Sequence, residues 1–225
     1  YIGSDLSKEM LDVFAREMPC PSFQLKYLVA SASETTLSTE SVDMVFISSA
    51  MHHFPHPDAV LKEVARVLKP GGIFVVMHEP NIVFARSGFM RQVARFSSIL
   101  ASRIDPRSAR GKVQDYSLVF AEVNAELLKR GLISKQLSNT EIQSLVDVQS
   151  PTAGGRFEPI GFDPLAWVGS GALLDWKIQS FETYNFLGKL DPSYRMWRRT
   201  LNHVFKFLIP NHGSLFSIIL RKPLQ

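Results

Sequence analysis

VDMVFISSAMHHFPHPDAVLKEVARVLKPGGIFVVMHEP, residues 42–80, is the stretch that decides the fold. It opens and closes on apolar runs without polar alternation, the pattern of strands covered on both faces of a parallel sheet. Between them a helix is well marked. Pro57 suits a first helical position, and Val60, Leu61, Val64, Val67 and Leu68 form one apolar stripe. Lys69 lies near the negative end of that helix, and Pro70-Gly71-Gly72 cannot continue it. The stretch therefore reads as a strand–helix–strand unit, and such sheets bind ligands at the carboxyl ends of their strands. Those ends carry Ser48, Ser49, His52 and His53 after the first strand, and His78 and Glu79 after the second.

Working outward, Ser7 can cap a helix over residues 8–18, with Glu9 in its first turn and Met10, Leu11, Phe14 and Met18 on one face. Leu25 to Ala30 reads as a short strand. Residues 81 to 104 read as one basic amphipathic helix, with Val83, Phe84, Phe89, Val93, Phe96 and Leu100 against Arg86, Arg91, Arg95 and Arg103. Asp105 to Lys112 is a polar linker, a further helix is expected over 115–130, and another is capped by Asn139 or Thr140. Ser150 to Gly161 reads as loop, and Asp191-Pro192-Ser193 opens a helix reaching Ile209.

Residues 42–80 resemble the class I S-adenosylmethionine-dependent methyltransferases, small-molecule branch. In that family an acidic residue opens the fourth strand, a polar loop with His follows, and a helix ends Leu-Lys-Pro-Gly-Gly before the fifth strand. Tyr1-Ile2-Gly3-Ser4-Asp5-Leu6-Ser7 and Glu9-Met10-Leu11 resemble the family's second strand and following helix. Phe162–Leu174 resembles its last crossover helix, and Trp176–Phe186 and Ser214–Arg221 its final two strands. The resemblance implies an α/β, Rossmann-like sheet, parallel with a C-terminal antiparallel strand. It also implies a single domain over 1–225, with helical lid insertions at 81–160 and 191–209. The family's Gly-rich cofactor loop follows its first strand, and no GxGxG occurs in this sequence. The expectation is a chain lacking that N-terminal segment, which a missing stretch or a partner chain would supply, so that this sequence alone is not a fully competent enzyme.

The cofactor implied by the resemblance is S-adenosylmethionine. Asp5 would accept hydrogen bonds from its ribose diol, the alternative being a turn or cap aspartate. Leu6 and Met10 would flank the adenosine, the alternative being plain core. Ser31-Ala32 stands where relatives often carry Asp-Ala against the adenine amino group. The acid is absent here, and Ser31 would accept one weaker hydrogen bond from the cofactor, the alternative being an ordinary loop serine. Ser48, Ser49 and Ala50 would wrap the methionine portion. Methyl transfer from a sulfonium is an in-line displacement in which alignment does most of the work. An oxygen acceptor also benefits from a base near neutrality. His53 is the candidate base, with ordering of the loop as its other reading, and Glu79 is the second candidate.

Six His and one Cys at scattered positions give no metal-ligand spacing. The lone Cys20 permits no internal disulfide and points to a reducing, cytoplasmic setting. No apolar run approaches the roughly 18 residues of a membrane span. The net charge of +4 decides nothing about partners. Nucleic acid is disfavoured as a substrate, since Ser48-Ser49-Ala50-Met51 replaces the Asn-Pro-Pro-Tyr of base methylators. The Arg86, Arg91, Arg95 stripe reads as a solvated face, with lipid headgroups as its other reading. The function expected is methyl transfer, to oxygen, on a small and fairly apolar molecule. The alternative is a non-catalytic methyltransferase-like binding partner.

Overall fold

The structure, a computed structural model, describes residues 1–17, 24–104, 117–139, 141–142, 161–168, 171–187 and 196–224. Cys20, the linker at 105–112, the start of the helix expected from Asp191 and most of the 150–161 loop lie outside these residues.

Strands β1 (Ile2–Asp5) and β2 (Lys26–Val29) pair in parallel, with Asp5 beside Val29, and α1 (Lys8–Glu17) connects them. Strand β3 (Val42–Ser48), helix α2 (Pro57–Val67) and strand β4 (Leu68–Pro80) form the expected unit, with β3 parallel to β4. Leu68, placed by the sequence on the helix stripe, instead begins β4 and is fully buried. Strand β6 (Leu215–Arg221) runs antiparallel to both β4 and β5 (Lys177–Tyr184), giving the order β3-β4-β6-β5. Strand β5 consequently points the same way as β3 and β4, and the carboxyl ends of all three share one edge. This is the mixed sheet that the sequence implies. Among the described residues the β1–β2 pair is a separate sheet, so β1 and β3 each have a single strand neighbour.

The core lies where the long apolar runs predict. Phe74 and Val76 of β4 and Phe216, Ile218 and Leu220 of β6 pack with Val60, Leu61 and Val64 of α2. Met51, Phe162, Leu173 and Trp176 complete the cluster. Gly71 adopts a left-handed φ of +75° that only glycine takes readily, where β4 turns away from the end of α2.

Three local readings are corrected. The helix expected over 81–104 is two, α3 (Ile82–Arg86) and α4 (Gly88–Ile104). Ser87 breaks it with extended backbone, and its hydroxyl accepts the Met90 N–H at the start of α4. Helix α5 (Ser117–Lys129) follows as expected, but the next helix is capped by Ser138, not Asn139 or Thr140. Ser138 Oγ accepts the Glu141 N–H while the Glu141 carboxylate takes the Ser138 N–H, a reciprocal capping box. Helix α6 (Pro164–Val168) and a single 3₁₀ turn at Gly171–Leu173 replace one longer crossover helix. Helix α7 (Met196–Leu208) precedes β6.

Candidate functional site

At the end of β1, Asp5 spends one oxygen on the chain itself, Oδ1 accepting the Ser7 N–H at 2.8 Å. Ser7 Oγ in turn accepts the Met10 N–H and caps α1. Asp5 is exposed, and Oδ2 makes no hydrogen bond among the described residues. Leu6 and Met10 beside it are exposed, which excludes the core reading of both. Parallel pairing puts Ser31 and Ala32, just past β2, at the same edge as Asp5. Ser31 Oγ is engaged locally, 2.9 Å from Ser33 Oγ.

The loop after β2 is pinned to α2. Glu63, almost fully buried, accepts hydrogen bonds from both the N–H and the hydroxyl of Thr35. It also pairs with Arg66, Nη2 to Oε1 at 2.7 Å. Those Arg66 hydrogen bonds first, then those from Thr35, outweigh burial and hold the Glu63 carboxyl at about 2. Ala32 packs against the core cluster that holds Met51. The end of β2 is thereby held against the unit that carries the β3 loop.

That loop turns on Ser49, whose φ of +52° is left-handed, and its N–H donates to Met77 O. A single 3₁₀ turn at Met51–His53 follows. Three consecutive amides, of Ala50, Met51 and His52, converge on the Glu79 carboxylate at 2.8, 3.0 and 3.2 Å. His52 Nδ1 lies 2.8 Å from Glu79 Oε2. Glu79 is 0% exposed. Burial alone would raise its pKa, but the hydrogen bonds from His52 and from the Met51 and Ala50 amides together bring it below the ordinary carboxylate range. An ionised carboxylate only accepts, so His52 Nδ1 must carry the proton. In the neutral ring Nε2 is then an acceptor, and it makes no hydrogen bond among the described residues. His53 is exposed, its ring 3.9 Å from that of His52.

A second imidazole stands at the end of β4. His78 has a left-handed φ of +59°, and its Nδ1 lies 2.8 Å from the Tyr184 hydroxyl at the end of β5. The same hydroxyl accepts the His78 N–H and lies 3.0 Å from Ser217 Oγ. Ser49 Oγ donates to His78 O, so the two left-handed residues meet on adjacent strand ends. Backbone strain of this kind concentrates at functional edges.

Residues 1–76 match the methyltransferase domain family. That match agrees with the likeness of the sequence to the class I S-adenosylmethionine-dependent methyltransferases. A ubiquinone/menaquinone biosynthesis C-methyltransferase of Rickettsia peacockii is 33% identical over 97 residues, 42% of this chain and 38% of that relative. A phthiotriol/phenolphthiotriol dimycocerosates methyltransferase of Mycobacterium leprae is 27% identical over 186 residues, 80% of this chain and 60% of the relative. The chain thus spans less than two thirds of the length of these relatives. A chain from the solved complex of the Haloferax volcanii Trm112 methyltransferase activator with a methyltransferase superposes at a TM-score of 0.50 and 14% identity. That alignment covers 99% of this chain and 71% of the other, a likeness of fold alone.

The residues present fit the family's cofactor at two places. Asp5 keeps an exposed, unengaged carboxylate oxygen with apolar Leu6 and Met10 around it, and Ser48-Ser49-Ala50 offers small side chains on a sharply turning backbone. Glu79 as a base is corrected: it is sealed from solvent, with both oxygens committed to the loop that carries the histidines. His52, which the sequence placed beside the candidate base, is the imidazole that Glu79 orients. The clue in the sequence was spacing, since His52 and Glu79 leave neighbouring parallel strands. Among the described residues no group of His, Cys, Asp and Glu could hold a metal ion.

Proposed function

We propose that this chain performs S-adenosylmethionine-dependent methyl transfer to a small, fairly apolar molecule. The supporting observations are an exposed carboxylate at the end of β1 and, at the end of β3, a left-handed Ser-rich turn with an oriented histidine. Asp5 and the Ser48–Ala50 turn hold the cofactor, which supplies an electrophilic methyl on its sulfonium. Leu6 and Met10 shield the adenosine from water. His52 Nε2 takes a proton from the acceptor as it is methylated, and Glu79 fixes the ring's tautomer and stabilises the imidazolium. His53 lines the same loop. An oxygen acceptor is the reading retained, and the relatives named for quinone and phthiotriol derivatives favour an apolar substrate.

Calorimetry with S-adenosylmethionine tests the proposal. Binding near the micromolar range is expected, weakened by about 1.5–3 kcal/mol in Asp5→Ala, the loss of a charged hydrogen bond. No heat at millimolar cofactor rejects catalysis and leaves the binding-partner reading. Equal affinity in Asp5→Ala removes the ribose role from that residue.

A further inference from the structure

We propose that α4 and α7 form one docking surface for an anionic lipid membrane, independently of the methyl-transfer reading. Both helices hang from the edge of the sheet that carries the candidate site. Helices α3 and α4 follow the carboxyl end of β4, and α7 lies between the end of β5 and the start of β6. Asn81 ties the start of α3, the short helix before α4, to the turn after α7. Its Oδ1 accepts the Val83 N–H and caps α3, while its Nδ2 donates to Asn211 O and Gly213 O in the turn leaving α7.

The exposed faces of both helices are apolar. On α4, Phe89, Phe96 and Leu100 fall on one line at spacings of seven and four, with Ile99 beside them. Phe96 is 68% exposed. On α7, Leu201, Val204, Phe207 and Leu208 are exposed, Phe207 at 86%. The charge on these segments has one sign. Residues 81–104 contain Arg86, Arg91, Arg95 and Arg103 and no Asp or Glu, and residues 196–208 likewise contain no acid. Arg91 donates to Ala85 O, which anchors its guanidinium without neutralising it. Arg199 is exposed, and Lys206 is balanced by Glu182 on β5.

An apolar stripe flanked by cations and free of acids is the chemistry of a helix lying in a lipid interface, its rings among the acyl chains and its arginines at the phosphates. The phosphates of a nucleic-acid duplex would meet the arginines but leave the phenylalanines in water. The aliphatic Ile99, Leu100, Leu201, Val204 and Leu208 offer no stacking surface to the bases of a single strand. A solvated face would not carry them. The exposure of Phe89, Phe96 and Phe207 therefore turns the reading of the arginine stripe from solvent to lipid.

Co-sedimentation of the chain with vesicles tests this, comparing phosphatidylglycerol/phosphatidylcholine mixtures with pure phosphatidylcholine. Strong binding to the anionic vesicles and little to the neutral ones is expected. Arg91→Gln with Arg95→Gln should weaken partitioning about fivefold per arginine. Phe96→Ser with Phe207→Ser should weaken it by about tenfold or more. Lys129→Gln with Arg130→Gln at the end of α5, the same change of charge elsewhere, should leave it unaltered. All variants are checked for native circular dichroism, and these exposed positions are chosen to preserve it. Equal binding to both vesicle types, or loss in the α5 variant equal to that in α4, overturns the proposal. So does salt-sensitive binding to a single- or double-stranded oligonucleotide that is tighter than binding to the anionic vesicles. Sedimentation equilibrium showing a dimer that Phe96→Ser with Phe207→Ser dissociates assigns the surface to a second copy and also overturns it.

Discussion

Glu79 shows how much of the chemistry was visible in the residues and where visibility ended. A carboxylate after a strand reads as a candidate base, whereas the strand runs on to Pro80 and Glu79 lies within its last pairs, opposite Phe216. Its task was not legible, because burial and the convergence of three amides depend on how the β3 loop folds back over β4. The histidine pair was legible as a pair. Which ring would be held was not, since that follows from contact with Glu79 across the strands. Nitrogen-resolved NMR checks the assignment: His52 should show the Nδ1-protonated tautomer, with Nε2 free to accept. In Glu79→Gln an amide replaces an acceptor facing three N–H groups. The expected cost is about 2–4 kcal/mol of stability, measured by denaturant unfolding, together with loss of that tautomer preference. An Nε2-protonated ring in the wild type, or an unperturbed Glu79→Gln, would remove Glu79 as the residue that positions His52.

Among the elements, the strand–helix–strand unit at 42–80 was read nearly to its ends because burial on both faces writes an unbroken apolar run. The helices after β4 were read less well. Ser87-Gly88 divides a helix whose apolar spacing continues across the break, so periodicity alone joined α3 to α4. What joins elements is also absent from local pattern, and Glu63 is the instance with a pH signature. Its carboxyl sits at about 2 in the folded chain against 4.5 ordinarily. A depressed pKa gives stability that is fully present above the unfolded value and is lost as pH falls through the folded one. The contribution, about 2–3 kcal/mol, should therefore fade between about pH 5 and pH 2. Unfolding curves of wild type and Glu63→Gln should differ by that amount near neutrality and converge in acid. A difference independent of pH would show that the ion pair with Arg66 does not set the loop's hold on α2. Gly213, in the turn into β6, makes a second case. A Cβ there would fall on the backbone N and O of Tyr184, the residue that holds His78. Gly213→Ala should cost about 2–4 kcal/mol and shift the Tyr184–His78 pair, seen as a perturbed Tyr184 ring spectrum.

At the scale of the molecule, stability is distributed unevenly, and the division falls through the candidate site. Strands β4 and β6 are hydrogen-bonded on both edges and carry Phe74, Val76, Phe216, Ile218 and Leu220 into the core. In the described part of residues 1–30, Leu11 is the single buried side chain, and β1 pairs with β2 alone. A unit with so little apolar burial opens at a small fraction of the free energy of global unfolding. Asp5, Leu6 and Met10 belong to the weak part, whereas Ser49, His52 and Glu79 belong to the strong one. A ligand that touches both must couple them, because each contact with the β1 end is lost whenever that end opens. Hydrogen exchange read by mass spectrometry should find the amides of β1 and β2 exchanging at least about a hundredfold faster than those of β4 and β6. S-adenosylmethionine at a hundred times its dissociation constant should slow exchange in residues 1–30 by up to about a hundredfold, with far less effect on β6. Protection confined to the β3 loop would instead place the cofactor wholly on the strong sheet and leave Asp5 as a cap for α1.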